Sequence, residues 1–272
     1  MKYVIIAIFA LSISIALPIF IIFLLEKKKN KKYKAWIKII VTIISSLALI
    51  IVITCSYLGV FYRATDDALE YLNNDSNIDI YDESDYYFLD NKENDKNVII
   101  FYPGGKVEES AYLPLMHNIA ENNIDIYIIK MPFHFALFGI NKANKVLEKT
   151  KYQNVYLMGH SLGGTAVSSY LSNTSNTIKG IIFLASYPTK KIDDNISSLS
   201  IYGTNDLVLN RKEYQNNKNL LPKNNTEIII EGGNHSYFGN YGGQNNDGIA
   251  SITRFKQQEI AKNSILKYIS TN

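Results

Sequence analysis

The sequence has one cysteine and four histidines among its 272 residues. Cys55 falls inside an apolar stretch, so no disulfide can form within the chain, and no other thiol is available as a nucleophile or metal ligand. The histidines show no paired spacing typical of metal ligands, and there is no Cys/His cluster. We therefore predict no metal site and no cofactor. The absence of cysteine beyond Cys55 is compatible with an oxidising exterior.

The chain also lacks the basic balance typical of nucleic-acid-binding proteins, although its net charge is +3. Eight of the 28 Lys and Arg residues lie within residues 1–38, but only one of the 25 Asp and Glu residues does. The remainder therefore carries 20 basic and 24 acidic residues. Because this larger part is slightly acidic, we predict no nucleic-acid partner.

Charged residues are missing from two long apolar segments near the N-terminus, Tyr3–Leu25 and Ile39–Val60. Each is long enough to cross a hydrocarbon core of ~30 Å as a helix. A secretory signal fits the first less well, because its apolar core exceeds the usual ~7–15 residues and a basic run follows. We predict a transmembrane hairpin over residues 1–62, with its Lys-rich loop in the cytoplasm. By the positive-inside rule, the N-terminus and the rest of the chain then lie on the outer side of the cell membrane.

Beyond the hairpin, short apolar runs alternate with helical patterns. Residues 63–97 are predicted to be a connector that ends in a β-hairpin, formed by Ile78–Tyr81 and Tyr86–Leu89. Residues 98–272 are predicted to form an α/β domain with a mainly parallel sheet and helices on both faces. The predicted strands are Val98–Tyr102, Ile124–Lys130, Val155–Met158, Lys179–Leu184, Ser198–Tyr202 and Glu227–Glu231. The predicted helices are Ser110–Asn122, Asn141–Lys151, Gly163–Ser172 and Ile252–Tyr268.

The strand at Val155–Met158 leads into Gly-His-Ser-Leu-Gly at residues 159–163, which fits the G-x-S-x-G pattern. Strand, sharp turn and helix in this order form a nucleophile elbow, which presents Ser161 as a nucleophile. Glycines at 159 and 163 remove the Cβ atoms that would collide in so tight a turn. The alternative is a Gly/Ser-rich turn without chemistry.

A nucleophilic serine needs a base and an acid that orients it. Asp206 follows the strand Ser198–Tyr202, and His235 follows the strand Glu227–Glu231. Parallel sheets gather such strand ends at one edge. We predict that His235 takes the Ser161 proton and that Asp206 holds the imidazole tautomer.

Other acids and histidines are weaker candidates for these roles. Asp193 and Asp194 precede a strand and are typical of a surface turn. His117 lies within a predicted helix, and His160 lies in the elbow itself. His134 follows a strand end, where it could line a pocket or act as an alternative base.

The residues expected to stabilise an oxyanion are backbone amides. One is that of Leu162, directly after the nucleophile, and the other comes from Pro-Gly-Gly-Lys at residues 103–106. We select Gly105, with Lys106 as the next choice. Four side chains near these loops are predicted to line the substrate pocket: Lys106, Phe133, His134 and Phe238.

Five motifs together resemble the α/β-hydrolase superfamily, in particular small bacterial serine hydrolases of the dienelactone-hydrolase-like group without a cap. These motifs are Tyr102–Val107, Met131–Phe133, Gly159–Gly164, Tyr202–Asp206 and Glu231–His235. The resemblance implies the family fold and a serine hydrolase mechanism with Ser161, Asp206 and His235 as its triad. Dienelactone hydrolases use a cysteine as nucleophile, where this chain has serine.

These features predict a membrane-anchored serine hydrolase that cleaves carboxylic esters outside the cell. The 13 residues between Leu184 and Ser198 are too few for a helical cap, so an open site is expected. The predicted substrates are small-molecule, lipid or cell-envelope acyl groups, and the other predicted partner is the lipid bilayer. The alternatives are a non-catalytic binding domain with the same fold and an acyltransferase that uses the same triad.

Overall fold

The computed structural model describes residues 2–30, 32–73, 77–92, 96–149 and 152–272, with the backbone alone for residues 2–10. Contacts divide the chain into two compact units, residues 1–60 and residues 61–272. Each unit has its own secondary structure and packing.

The N-terminal unit consists of two helices that pack against each other, α1 (Lys2–Lys29) and α2 (Ala35–Leu58). Glu26 holds their turn, because its carboxylate accepts from the Tyr33 amide at 2.7 Å and pairs with Lys38 Nζ at 2.8 Å. Of the helices in the described part of the chain, α2 alone is long and apolar enough to cross a membrane. A span at α2 therefore has support from composition, and the two-span arrangement stays a prediction.

The second unit is built on one sheet of eight strands. Its strands form where the sequence has apolar, β-branched and aromatic runs, which suit a pleated surface buried on both sides. They are β1 (Asp79–Asp82), β2 (Tyr86–Asp90), β3 (Asn97–Tyr102), β4 (Asp125–Ile129), β5 (Asn154–His160), β6 (Gly180–Leu184), β7 (Ser197–Gly203) and β8 (Asn225–Ile230).

The strands lie in the order β1-β2-β4-β3-β5-β6-β7-β8. The hairpin β1–β2 joins β4 in antiparallel pairing, and all pairs from β4 to β8 are parallel. The predicted α/β architecture with a mainly parallel sheet is thus confirmed. Tyr102 at the end of β3 pairs with Gly159 of β5, so the loop after β3 starts beside the elbow. The segments that follow β3, β5, β7 and β8 all leave the carboxyl edge of the sheet, where ligand sites form.

Helices cover both faces of the sheet because successive strand residues point to opposite sides. The α-helices of this unit are α3 (Asp66–Leu69), α4 (Leu113–Ala120), α5 (Asn144–Leu147), α6 (Leu162–Leu171), α7 (Arg211–Asn216) and α8 (Arg254–Thr271). Ile99 and Phe101 of β3 pack with the helices of one layer, α4 and α8, and Ile100 packs with α5 and α6 on the other face.

Within residues 98–272, three helices depart clearly from the sequence prediction. The helix predicted from Ser110 begins with a 3-10 turn at Glu109–Tyr112. Helix α4 follows it from Leu113, with Pro114 in the first turn, a position that proline favours. The helix predicted over 141–151 ends at Leu147, and its last two predicted residues lie outside the described residues. Helix α7 was not predicted, although Asn210 caps it by accepting from the Glu213 amide at 3.1 Å. An Asn followed three residues later by Glu is a helix-start signal that could have revealed it.

Candidate active site

Ser161 occupies a strained turn between β5 and α6. Its φ and ψ are 51° and −122°, a conformation that L-residues rarely adopt and that the surrounding structure must hold. A Cβ on Gly159 would lie 2.4 Å from the Gly164 amide nitrogen, and one on Gly163 would lie 2.0 Å from the Tyr102 carbonyl oxygen. The glycines of the motif are therefore required by close backbone approach.

We expect Gly163→Ala to destabilise the chain by roughly 3 kcal/mol, because the new methyl meets backbone that cannot move aside easily. For a unit of this size the midpoint of thermal unfolding should fall by about 6–12 °C. Circular dichroism of the detergent-solubilised chain measures this. Gly243→Ala is the matched control, since no atom of the described residues lies within 4 Å of the Cβ it adds. Equal midpoints for the two variants would contradict the packing explanation.

Asp206 and His235 form a buried hydrogen-bonded pair at the ends of the neighbouring strands β7 and β8. His235 Nδ1 lies 2.9 Å from Asp206 Oδ2, and the two residues are 1% and 2% exposed. The second carboxylate oxygen, Oδ1, accepts from the amides of Val208 and Leu209 at 2.9 and 2.7 Å. Because the carboxylate accepts in all three bonds, the proton of the pair lies on His235 Nδ1.

The other ring nitrogen of His235, Nε2, is buried and has no hydrogen-bond partner among the residues the structure describes. With the proton on Nδ1, Nε2 is the basic nitrogen of the ring. The His235 ring centroid lies 4.6 Å from that of His160, the residue that precedes Ser161. The His235 ring thus packs against the elbow residue His160, while its Nε2 has no hydrogen-bond partner in the described part of the chain.

The weaker acid and base candidates have structural partners instead. Asp194 is on the surface and accepts from the Lys223 amide at 3.0 Å. Asp193 accepts from the Asn195 amide at 2.8 Å within the same turn. His117 is 7% exposed and packs edge-on against Tyr71, with ring centroids 5.1 Å apart.

His160 links the loop after β3 to the backbone of His235. Its Nε2 lies 3.2 Å from the His235 carbonyl oxygen, and its Nδ1 lies 2.8 Å from the Tyr112 hydroxyl. Burial, with a smaller contribution from His235, holds the pKa of His160 well below its usual range. A neutral ring that donates to a carbonyl through Nε2 must accept through Nδ1, so Tyr112 donates to it. The Tyr112 oxygen in turn accepts from the Gly104 amide at 3.0 Å.

The lowered pKa of His160 predicts a loss of stability in acid. The folded chain takes up a proton here less readily than the unfolded chain, whose imidazole titrates near pH 6.5. The contribution of His160 is therefore complete above about pH 6.5 and falls by up to about 1.4 kcal/mol per pH unit below it. Urea unfolding of the chain and of His160→Gln between pH 5 and 7.5 measures this. The variant should show the smaller loss, and equal losses would contradict the assignment.

Two backbone amides remain for an oxyanion. In the loop after β3, the Gly104 amide is bonded to Tyr112, and the Lys106 amide donates to the His134 carbonyl at 2.6 Å. The amides of Gly105 and Leu162 have no acceptor among the described residues. A Cβ on Gly105 would lie 2.9 Å from Leu162 Cδ2, so the two residues are adjacent. Leu162 also begins α6, where the helix dipole favours negative charge.

The four predicted pocket side chains do not share one environment. Phe133 is 56% exposed, and His134 beside it is partly buried with Nδ1 2.9 Å from Glu109 Oε2, a bond that raises the pKa of His134. Lys106 is bonded to His134 through the backbone, so these three residues lie together. Phe238 has no exposed surface and packs on the His160 ring, with centroids 5.6 Å apart. Phe238 is therefore placed in the core behind the elbow.

Sequence reasoning missed three polar residues that organise this region. Tyr112 bonds His160, and Glu109, which is 5% exposed, bonds His134. Asp247 accepts from the His235 and Ser236 amides at 3.2 and 2.8 Å. None belongs to a short motif, and each contacts residues far from it in the chain, so no local signal could have singled it out.

Comparison with known proteins confirms the predicted α/β-hydrolase fold. A family model described as the alpha/beta hydrolase family matches residues 98–259. No curated protein matches the sequence. The finer assignment to the dienelactone-hydrolase-like group has no such support.

Solved structures share the fold at low sequence identity. The Francisella virulence factor BioJ is 14% identical with a TM-score of 0.56, over 80% of this chain and 91% of that one. The hydrolase MGS-MChE2, from a lagoon sediment metagenome, is 14% identical with a TM-score of 0.53, over 71% and 98%. Est1E from Butyrivibrio proteoclasticus is 15% identical with a TM-score of 0.51, over 72% and 100%.

Proposed function

The chain belongs to the alpha/beta hydrolase family, and we propose that it is a serine hydrolase which cleaves carboxylic esters through an acyl-enzyme on Ser161. The observation that carries the proposal is the buried Nε2 of His235, which has no partner among the described residues while Asp206 holds Nδ1. The His235 ring packs on His160, the neighbour of the strained elbow serine, and we propose that a substrate in the site brings Ser161 Oγ within reach of this nitrogen, which removes its proton.

The proposed reaction starts when Ser161 Oγ attacks the acyl carbon and its proton passes to His235 Nε2. Asp206 stabilises the imidazolium through the Nδ1 bond. The carbonyl oxygen becomes an oxyanion, to which the Gly105 and Leu162 amides donate. The tetrahedral intermediate collapses, His235 returns its proton to the leaving alcohol, and the acyl group stays on Ser161. Water then repeats the sequence with His235 as base, which releases the acid and restores the serine.

The alternatives have less support. A domain that only binds would have no need for a hydrogen-bonded Asp206–His235 pair whose second ring nitrogen has no partner within the described residues. Acyl transfer to an acceptor other than water needs a site that excludes water, and the 13 residues between Leu184 and Ser198 supply no cap over this one. Hydrolysis is therefore the function we favour.

Purified chain tested with p-nitrophenyl esters of graded acyl length distinguishes these functions. Hydrolysis should be inhibited by a fluorophosphonate in proportion to the Ser161 modified. Addition of an alcohol or amine acceptor should leave free acid as the main product. Acyl transfer to the acceptor as the main product would favour the transferase, and no turnover of any ester would favour the binding domain.

We also propose that α2 anchors the enzyme in the cell membrane and that residues 61–272 face outward. The apolar composition of α2 and the Lys-rich segment before it support this. Lipid or cell-envelope acyl groups are then the proposed substrates. The exposed apolar side chains after β4, Phe133, Leu137 and Phe138, which are 45–58% exposed, would suit such substrates.

Cysteine labelling tests the orientation. In a Cys55→Ser background, Lys223→Cys places a thiol at a surface residue of the second unit, and Lys28→Cys places one in the Lys-rich segment. A membrane-impermeant maleimide added to intact cells should label the first and not the second. The reverse pattern would show an inward-facing enzyme, and labelling of neither before lysis would show that the second unit is not outside.

A further inference from the structure

Residues Phe61–Thr65, which we call the entry segment, run beside the loop that carries Gly105. Tyr62 forms an isolated parallel bridge with Val107. The Tyr62 amide donates to the Lys106 carbonyl at 2.7 Å, and the Glu108 amide donates to the Tyr62 carbonyl at 2.9 Å. Tyr62 therefore binds the residues on both sides of Val107, Lys106 and Glu108, through two backbone hydrogen bonds.

Val107 in turn sets the direction of the Gly105 amide. Its own amide donates to the Gly104 carbonyl at 3.3 Å. In a trans peptide the carbonyl and the N–H point in opposite directions, so this bond directs the Gly105 N–H away from Val107. The next peptide is held as well, because the Lys106 amide donates to the His134 carbonyl. Lys106 has a φ of 62°, which is unfavourable for lysine and needs such bonds to persist.

The buried carboxylate of Glu109 holds the other end of the same loop. Glu109 Oε1 accepts from the Met131 amide at 2.8 Å, and Oε2 lies 2.9 Å from His134 Nδ1. The Phe61 ring lies on the His134 ring, with centroids 4.0 Å apart. Glu109, His134 and the entry segment thus form one connected set of contacts around the loop.

The entry segment also reaches the loop that carries His235. The Thr65 amide and hydroxyl both donate to the Asn240 carbonyl, at 2.9 and 3.0 Å. The Tyr62 hydroxyl accepts from the Asn245 amide at 3.1 Å, and the Tyr62 ring packs against Tyr241. One five-residue segment therefore contacts both the loop of the proposed oxyanion amide and the loop of the proposed base.

We propose that the entry segment and the Glu109–His134 pair are positioning elements of the active site, which aim the Gly105 amide at the transition-state oxyanion. This rests on the proposed function. Tyr62 acts through its backbone, and Glu109 acts through its carboxylate. An oxyanion donor raises kcat by a factor of about 10²–10³, and displacing the donor by about 1 Å removes much of this effect. Because the oxyanion exists only after attack, substrate binding should change little.

The test uses the full chain in detergent with Tyr62→Pro, which removes the amide donor, and Glu109→Ala, which removes both carboxylate bonds. We expect kcat for a short-chain ester to fall about 10- to 100-fold while KM stays within threefold. The Ki of a trifluoromethyl ketone with the same acyl group, a transition-state analogue, should rise by the factor by which kcat/KM falls. The number of serines titrated by a fluorophosphonate should stay unchanged.

Tyr62→Phe retains the backbone bonds and Glu109→Gln retains an acceptor for Met131. Each should therefore keep most of the kcat that Tyr62→Pro and Glu109→Ala lose. Glu148→Ala, at an exposed carboxylate, is the control for substitution itself. A merely structural role would reduce the titrated serines and leave kcat per site and Ki unchanged, which would overturn the proposal. If Tyr62→Pro does not fold, Glu109→Ala alone decides by the same criteria. Absence of hydrolysis by the unsubstituted chain would overturn the proposed function, and the positioning proposal with it.

Discussion

Ser161→Ala should lower kcat/KM for ester hydrolysis by a factor on the order of 10⁶. The substitution removes the attacking oxygen, and what remains is the residual catalysis that oxyanion donors and binding provide. Its effect on folding should be small, because Ser161 Oγ makes no hydrogen bond in the described part of the chain. The measurement is initial rates with a p-nitrophenyl ester, together with the unfolding midpoint.

Ser175→Ala, at an exposed serine after α6, is the matched control and should have the activity of the unsubstituted chain. Loss of activity in Ser161→Ala with an unchanged midpoint would assign the loss to chemistry. More than a tenth of the activity remaining would mean that another group attacks the ester.

Asp206→Asn should lower kcat by about 10⁴-fold at neutral pH. The amides of Val208 and Leu209 donate to Oδ1, so an asparagine must direct its carbonyl oxygen toward them. Its NH₂ group then faces His235 Nδ1, which has to accept, and the ring proton moves to Nε2. With Nε2 protonated, the imidazole cannot take the Ser161 proton. The fold should persist because the three hydrogen bonds of the position are retained.

Asp193→Asn tests the competing acid. Asp193 only caps the turn before β7, so this variant should keep its activity within about twofold. Rates measured between pH 6 and 9 for both variants separate a wrong tautomer from a shifted titration. An active Asp206→Asn or an inactive Asp193→Asn would contradict the assignment of the acid.

Local patterns were sufficient for the elements that place the candidate site. The strands β3 to β8 are apolar runs bounded by turn residues, and the strongest signal, G-x-S-x-G after such a run, marks the elbow at Ser161. Asp206 and His235 followed from one rule, that parallel strands deliver their following residues to the same edge. The structure brings these two together at 2.9 Å.

Contacts between distant parts of the chain could not be predicted in this way. The Glu109–His134 bond joins residues 25 apart in sequence, and the Tyr112–His160 bond joins residues 48 apart. Both depend on how the loops after β3 and β4 fold over the sheet edge, which no periodicity encodes. The pocket prediction for Phe238 could not be made reliably for the same reason. Hydropathy cannot distinguish an aromatic residue that lines a pocket from one buried behind it, and the structure buries Phe238.

The N-terminal unit shows the limit of composition as evidence. Both apolar segments lack charge, and the structure gives each a helix, but only α2 meets the length and hydropathy of a span within the described residues. Helix α1 ends in Lys27, Lys28 and Lys29, and Pro18 lies inside it. Within the described residues hydropathy supports a span at α2, and the two-span hairpin stays a prediction.

The most direct test of the account is covalent labelling of the folded chain by a fluorophosphonate, followed by peptide mapping. We predict a single phosphonylated residue, Ser161, in a reaction at least ~10³-fold slower in His235→Ala and absent after denaturation. A folded chain that stays unlabelled, or a label at any other residue, would contradict the claim that Ser161 is an activated nucleophile.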